Sequence, residues 1–391
     1  MLIKKIELFV VTLPRRRGHS WATSITQVGE GYVILRITTD TGIVGYGEAA
    51  ALPEWGGDFG RYSGEMHGTV LPVIAGYLFP VLKDESPFAL EYLMAKMNRN
   101  IKGHFYAKAA IQMALLDIIG KATSQPAYNF LGGQVRHKVE LAHSLGLMEI
   151  GTALEEAKIA VSEGIKNIKI RGGLDPKRDV ELIGKLDTMF QGEVPLILDG
   201  NEAYRSVAEA IWVIERIGDC NIAYVEQPVA GIQNLARLHS QVTMPLMADE
   251  SIWTHHDVLS LVEAKAVDYI SIYVSKAGGP LEAKKVADLA SAGGILCNVN
   301  GSAEFGVGNA ANLQAVASSH VISLACAIPL TTIQGKEQTE VVGRNYQDDI
   351  IVEPFRYEDG YLIVPTKPGL GIEIDEDKLK YHSAKEPLII E

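Results

Sequence analysis

Five charged residues in this chain each follow a short apolar run, at intervals of 23 to 30 residues. They are Lys169 in Asn167-Ile-Lys-Ile-Arg171, Asp199 in Leu196-Ile-Leu-Asp199, Glu226 in Tyr224-Val-Glu226, Asp249 in Leu246-Met-Ala-Asp249 and Lys276 in Ile272-Tyr-Val-Ser-Lys276. That interval is about one strand plus one helix, so each charge is expected at the carboxyl end of successive parallel strands. In a closed barrel those ends share one rim, where catalytic groups gather. Three carboxylates brought together there would repel one another strongly unless a cation lay between them. An all-oxygen set with no His or Cys beside it favours Mg²⁺, with Mn²⁺ next. Asp199, Glu226 and Asp249 are therefore the expected metal ligands. A single such acid would more simply cap the following helix, but three in consecutive units make the cation the better reading. Lysine near a bound cation is shifted toward neutrality and can act as a base. A metal with such bases suits removal of a proton next to a carboxylate, through an enediolate.

The elements needed to hold those residues are legible around them. Candidate strands begin near Val139, Asn167, Pro195, Asn221, Pro245, Tyr269, Gly294 and Ile322, with amphipathic stretches such as 175–190, 206–217 and 281–292 in the gaps. Eight alternating units predict an α/β fold with a modified (β/α)8, TIM-like barrel. Before them, Ile3–Val11, Gly31–Thr38 and Val44–Glu48 read as antiparallel strands, and Ala107–Lys121 as a helix with one apolar face. The expected division is an α+β capping domain over 1–130, the barrel over 131–330, and a segment over 331–391 that returns to the cap. Two loops, Pro14–Trp21 and Pro53–Arg61, mix Gly with aromatic and cationic residues and are expected to close over a ligand. Trp21 and Trp55 are their candidate substrate contacts. His143, before Ser144, is placed to face the barrel mouth, though a hydrogen-bonded structural histidine is the plainer reading. His255-His256 reads as a helix start, Tyr273 as strand packing more than chemistry, and the arginines at 15–17 as solvated or as greeting an anion.

Composition bounds the partners. The 391 residues carry a formal charge of −12, which argues against a nucleic acid. No stretch approaches the roughly 18 apolar residues of a membrane span, and no signal-peptide pattern opens the chain, so a cytoplasmic location is expected. Three isolated cysteines give neither a disulfide framework nor a zinc spacing. No Gly-x-Gly-x-x-Gly turn follows a strand, so a dinucleotide is not expected.

The chain resembles the enolase superfamily in its muconate-lactonizing enzyme / mandelate racemase-like branch, over nearly its whole length. Ala109–Lys121 with Leu131-Gly-Gly133 is similar to the branch's helix before the barrel. Asp199-Gly-Asn201, Glu226-Gln-Pro228 and Asp249-Glu-Ser251 are similar to its three metal motifs. Lys276 with Gly278-Gly279 is similar to its sixth-strand lysine, Glu304 to its Glu near the seventh strand, and Pro368-Gly-Leu-Gly371 to its carboxyl-terminal signature. The resemblance implies Mg²⁺, a small carboxylate substrate and a homo-oligomer. It places Lys276, Lys169, Arg171 and Glu304 among the catalytic residues and Asn201 and Asn298 beside the substrate. One departure stands out. The branch usually has Lys-x-Lys on the second barrel strand, and here it is Lys169-Ile-Arg171. Arginine does not give up its proton at ordinary pH, so two-base racemisation through this pair is not expected. With Lys276 as the base, chemistry on one face becomes more natural: cycloisomerisation, or β-elimination of water. The leading reading is a Mg²⁺-dependent cycloisomerase or epimerase of a carboxylate, and the second an acid-sugar dehydratase, which Asn298, Asn300 and Ser302 would favour. A non-catalytic ligand-binding relative is the third reading.

Overall fold

The fold is that of a computed structural model, which describes residues 1–16, 18, 20–22, 31–330, 333–334, 339–343 and 345–391. Strands β1 (Ile3–Val11), β2 (Tyr32–Thr39) and β3 (Val44–Ala49) form an antiparallel meander. A tight turn joins β2 to β3, with Gly42 in the left-handed region at φ 81°. Helices α1 (His67–Val73), α2 (Phe79–Leu82), α3 (Leu90–Asn100) and α4 (Phe105–Thr123) follow. Helix α4 was expected to show one apolar face, but every residue from Tyr106 to Gly120 is buried. The reason is its position, with β3 on one side and the barrel's helices on the other. Its polar residues are each bonded: Asp117 accepts from the amides of Tyr46 at 3.0 Å and Leu370 at 2.9 Å, and Gln112 from that of Leu281 at 2.7 Å. Contact with β3 is close enough to require glycine, since a Cβ at Gly47 would lie 1.8 Å from the Ala110 carbonyl oxygen.

The barrel strands are β5 (Ala142–Leu145), β6 (Asn167–Arg171), β7 (Leu196–Asp199), β8 (Ile222–Glu226), β9 (Leu246–Ala248), β10 (Tyr269–Ile272) and β11 (Leu296–Val299), all parallel in that order. The expected eighth strand near Ile322 forms no strand, and the ring is closed by single bridges from Ile322 to Cys297 and from Cys326 to Leu141. The expected first strand near Val139 is also displaced. Lys138–Glu140 is a separate strand, β4, paired antiparallel with a strand of the tail, and the chain switches sheets at Leu141.

Helices α5 (Ile150–Ser162), α6 (Pro176–Phe190), α7 (Val207–Ile217), α8 (Ile232–His239), α9 (His255–Ala264), α10 (Val274–Ala277), α11 (Pro280–Ala292) and α12 (Gly306–Ala317) connect and surround the strands. Their starts follow from the sequence: Asp175 accepts from the amides of Lys177 and Arg178 ahead of Pro176, and Ser206 from that of Glu209. After α12 come β12 (Ile333–Gln334), β13 (Phe355–Glu358) and β14 (Tyr361–Ile363), which with β4 form a small sheet. Helix α13 (Glu376–Tyr381) and β15 (Leu388–Ile390) end the chain, with β15 on the free edge of β1. Among the described residues no helix is long and apolar enough to cross a membrane.

Candidate active site

The register of the barrel strands sets the site. Arg171 on β6 pairs with Asp199 on β7, which pairs with Glu226 on β8, so the three stand side by side at the strand ends. Asp249 follows β9 directly. One carboxylate oxygen from each of Asp199, Glu226 and Asp249 lies within 4.8 Å of the others, and all three residues are fully buried. Lys169 Nζ donates at 2.8 Å to both Asp199 and Glu226. Arg171 Nη1 binds Asp199 and also donates to Asn201 Oδ1 at 3.1 Å. Lys276 Nζ donates to the Asp249 carbonyl at 2.7 Å and to its carboxylate. Below them Ala142, Ile197, Tyr224 and Met247 form an apolar floor.

The loops that leave these strands are held in an uncommon backbone form. Asn201, Glu202 and Gln227 all have positive φ, at 42°, 62° and 35°. Local bonds fix them: the Asn201 amide donates to Asp199 Oδ1 at 3.0 Å, and Gln227 Oε1 accepts from the amides of Asp249 at 2.8 Å and Ser251 at 3.2 Å. Gln227 thus ties the loop after β8 to the loop after β9.

Burial makes the charges costly. It pushes the Glu226 carboxyl up to about 8, against the pull of Lys169 and with the help of Asp199 and Asp249. Burial would also raise Asp199, but Lys169 and Arg171 outweigh it and hold that carboxyl below its ordinary value. Neighbouring Glu250 is raised well above its usual range, first by burial and then by Asp249 and Asp199. Glu226 Oε2 is buried with no hydrogen-bond partner. A buried all-oxygen set with an unsatisfied oxygen is one a divalent metal ion fits.

Above the cluster a cavity of about 120 Å³ is walled by Arg171, Tyr273 and Ser144 from the barrel and by Arg15, Trp21 and Trp55 from the cap. Trp55 stacks on Tyr273 at 5.1 Å between ring centroids. The first cap loop is seated on the barrel, where the Leu147 amide donates to the Ser20 carbonyl at 3.0 Å; Arg17 and His19 of that loop lie outside the described residues. The second is seated by Asp58, which accepts from Ser251 Oγ at 2.8 Å and the Gly231 amide at 3.1 Å.

Several expected residues stand elsewhere than the sequence placed them. Lys276 does not end a strand: β10 stops at Ile272, and Lys276 lies on the single turn α10, behind Tyr273 and off the cavity wall. His143 touches the cavity, but its Nε2 is bonded to Glu156 Oε1 on α5 at 2.8 Å. Asn298 sits one layer below the mouth, donating to the Tyr224 hydroxyl at 3.3 Å, while Asn300 reaches Glu226 at 3.2 Å. Glu304 is fully buried outside the cavity wall and accepts from Ser275 Oγ at 2.9 Å. Residues 255–256 open α9, as read. The sequence reading missed the tie made by Gln227, the bond from Asn300 to Glu226 and the position of Tyr273. The signal for the last two was the period-2 alternation of inward residues along β10 and β11.

Residues 5–132 match the family model for the mandelate racemase / muconate lactonizing enzyme N-terminal domain, and residues 152–378 that for the enolase C-terminal domain-like region. Muconate cycloisomerase 1 of Rhodococcus opacus is 30% identical over 385 residues, 97% of each chain. N-succinyl-L-Arg/Lys racemase of Bacillus cereus is 28% identical, again over 97% of each. The crystal structure of N-succinyl Arg/Lys racemase from Bacillus cereus superposes with a TM-score of 0.89 over 100% of both chains, at 27% identity. The chain belongs to the mandelate racemase / muconate lactonizing enzyme family and is an isomerase of the enolase superfamily.

Proposed function

We propose that this protein is a Mg²⁺-dependent cycloisomerase or epimerase of a small carboxylate, working through proton transfer at the carbon next to the carboxylate. The observation that carries the reading is the convergence of Asp199, Glu226 and Asp249, with Glu226 Oε2 unsatisfied, directly beneath a cavity roofed by two cap loops. Asp199, Glu226 and Asp249 would hold Mg²⁺ (Mn²⁺ in its place), and the ion would supply charge stabilisation for electron density developing on the substrate carboxylate. Lys169 balances Asp199 and Glu226 and sets their orientation. Arg171 faces the cavity with a charge it keeps at any ordinary pH, so it orients an anionic group and removes no proton. Trp21 and Trp55 exclude water above the substrate. Lys276 holds Asp249 in place.

The polar residues that favoured an acid sugar are turned to other work. Asn298 bonds Tyr224, Asn300 bonds Glu226, and Ser302 Oγ bonds the Tyr106 hydroxyl at 3.1 Å. Much of the remaining wall is apolar, including Leu52, Ile328, Leu330, Val341 and Val342. That supports a substrate with an unsaturated or acylated body over a polyhydroxylated one. The test is turnover and exchange of the α-hydrogen in D₂O, read by NMR with Mg²⁺ present. The panel is cis,cis-muconate, N-succinyl-L-arginine and galactarate. Isomerisation or exchange of the muconate or the succinyl amino acid, lost on chelation, is the expected result. Turnover that survives exhaustive chelation, or activity on galactarate alone, would overturn the reading.

A further inference from the structure

Side chains on β10 alternate, and the inward ones can be followed by their contacts. The Tyr269 ring meets that of Tyr224 edge-on at 5.7 Å in the barrel floor. Ser271 Oγ accepts from Asn300 Nδ2 at 2.9 Å, and Asn300 reaches Glu226. The next inward position is Tyr273, just past the end of the strand, and it lines the reaction cavity. Its hydroxyl lies 3.3 Å from Asp249 Oδ2. Its ring packs against Trp55, with 5.1 Å between centroids, and Lys276 Nζ lies 4.5 Å from the Tyr273 centroid and 5.5 Å from that of Trp55. Arg171 faces the same cavity from β6, four strands away around the barrel. Both buried lysines of the site, by contrast, lie off the wall with their ammonium groups bound to carboxylates.

We propose that Tyr273 is the catalytic proton donor of this enzyme, placed opposite Arg171, and that Lys276 serves to hold Asp249 and the Tyr273 ring. The proposal rests on the function proposed above and names the group that performs its proton step. In a cycloisomerisation, an oxygen of one substrate carboxylate bonds to the β-carbon of the conjugated double bond. The π pair moves onto the α-carbon and the other carboxylate. The Tyr273 O–H bond then breaks and its proton forms the new C–H bond at the α-carbon. The phenolate left beside Arg171 regains a proton from water, and nothing is oxidised or reduced. With a phenol on one side and a guanidinium that keeps its proton on the other, hydrogen enters from one face. The pair therefore favours cycloisomerisation over epimerisation.

The experiment uses full-length Tyr273→Phe, which keeps the ring and removes only the hydroxyl. Two quantities are compared with the parent protein: Mn²⁺ affinity by electron paramagnetic resonance, and Mg²⁺-supported deuterium incorporation from D₂O into the same panel. The expected result is Mn²⁺ affinity within about threefold of the parent and incorporation lowered about 100- to 10,000-fold, the usual worth of a positioned acid. In the parent, deuterium is expected on one face of the product only. Incorporation retained within about tenfold would overturn the assignment while leaving the proposed function standing. Loss of Mn²⁺ affinity together with incorporation would also overturn it, since the hydroxyl would then act by holding Asp249. If the parent protein neither converts nor exchanges any member of the panel, the proposed function fails and the assignment falls with it.

Discussion

Asp199, Glu226 and Asp249 are held by backbone at the ends of three neighbouring strands, so removing one charge should leave the scaffold intact. Asp199→Asn, Glu226→Gln and Asp249→Asn are each expected to weaken Mn²⁺ binding at least about 100-fold. Circular dichroism should be unchanged, with thermal stability lowered where the substitution leaves a buried cation without its partner, Lys169 and Arg171 in Asp199→Asn and Lys276 in Asp249→Asn. Calorimetric titration checks the affinity; a variant that binds Mn²⁺ like the parent would remove its residue from the ligand set. These three residues were legible in the sequence because each closes an apolar run at the spacing of one strand–helix unit. Tyr273 was not, because the same logic looked for a charge at every strand end and found one three residues too late. Lys276 is charged, follows β10 and precedes Gly278-Gly279, but the strand ends at Ile272 and the turn Val274–Ala277 is helical, so Lys276 lies outside the inward series 269, 271, 273. Parity along the strand, not charge, marks which side chain reaches the cavity.

Among the elements, α4 shows how a remote side chain can satisfy a helix end. The amides of Tyr106 and Ala107, in its first turn, donate to Glu65 Oε1 at 2.9 Å and Oε2 at 3.2 Å. Burial nevertheless pushes the Glu65 carboxyl up to about 7, against the pull of those two amides. The folded form therefore takes up a proton below about pH 7 that the unfolded chain takes up only near pH 4.5. Between those values the folded state binds more protons, so this group's contribution to stability falls as pH rises from 4.5 through 7. Glu65→Gln should abolish that component. Relative to the variant, the parent is expected to lose on the order of 1–3 kcal/mol between pH 5 and pH 8. Urea unfolding of both proteins at the two pH values measures it, and parallel pH dependences would refute the assignment. The helix itself was plain in the sequence, but this cap was not, since Glu65 is 40 residues away in a loop with no helical pattern. The missing eighth strand has a similar cause. Its apolar run at 321–328 is short and is followed at once by Pro329, and closure needs only two bridges, which no periodicity reports.

Across the whole molecule the tail stitches the cap to the barrel. Strand β15 pairs with β1 of the cap, β13 and β14 join β4 at the barrel's entry, and the stretch between them crosses α4. At that crossing Gly369 has φ 74°, its amide donates to the Gln125 carbonyl at 3.0 Å, and a Cβ there would lie 2.1 Å from Asp117 Oδ1. Asp117 is itself bonded to Tyr46 of β3 and to Leu370 of the tail, so one buried carboxylate joins cap sheet, central helix and tail. Gly369→Ala combines a strained backbone with a steric clash against that carboxylate. It should cost about 1–3 kcal/mol, well beyond a surface substitution. Because α4 packs on the cap sheet and on the barrel's helices, the loss should appear in cap and barrel at once. Trp55 reports on the cap and Trp212, on α7 against Arg216, on the barrel, so tryptophan fluorescence and far-ultraviolet dichroism should give one coincident thermal transition, shifted down together in the variant. A split into two transitions, with only the cap destabilised, would mean that cap and barrel fold independently and that the tail is a passenger. The observed arrangement argues for the single transition: the cavity lies between cap loops and barrel rim, and only a cap fixed to the barrel can hold Trp55 against Tyr273.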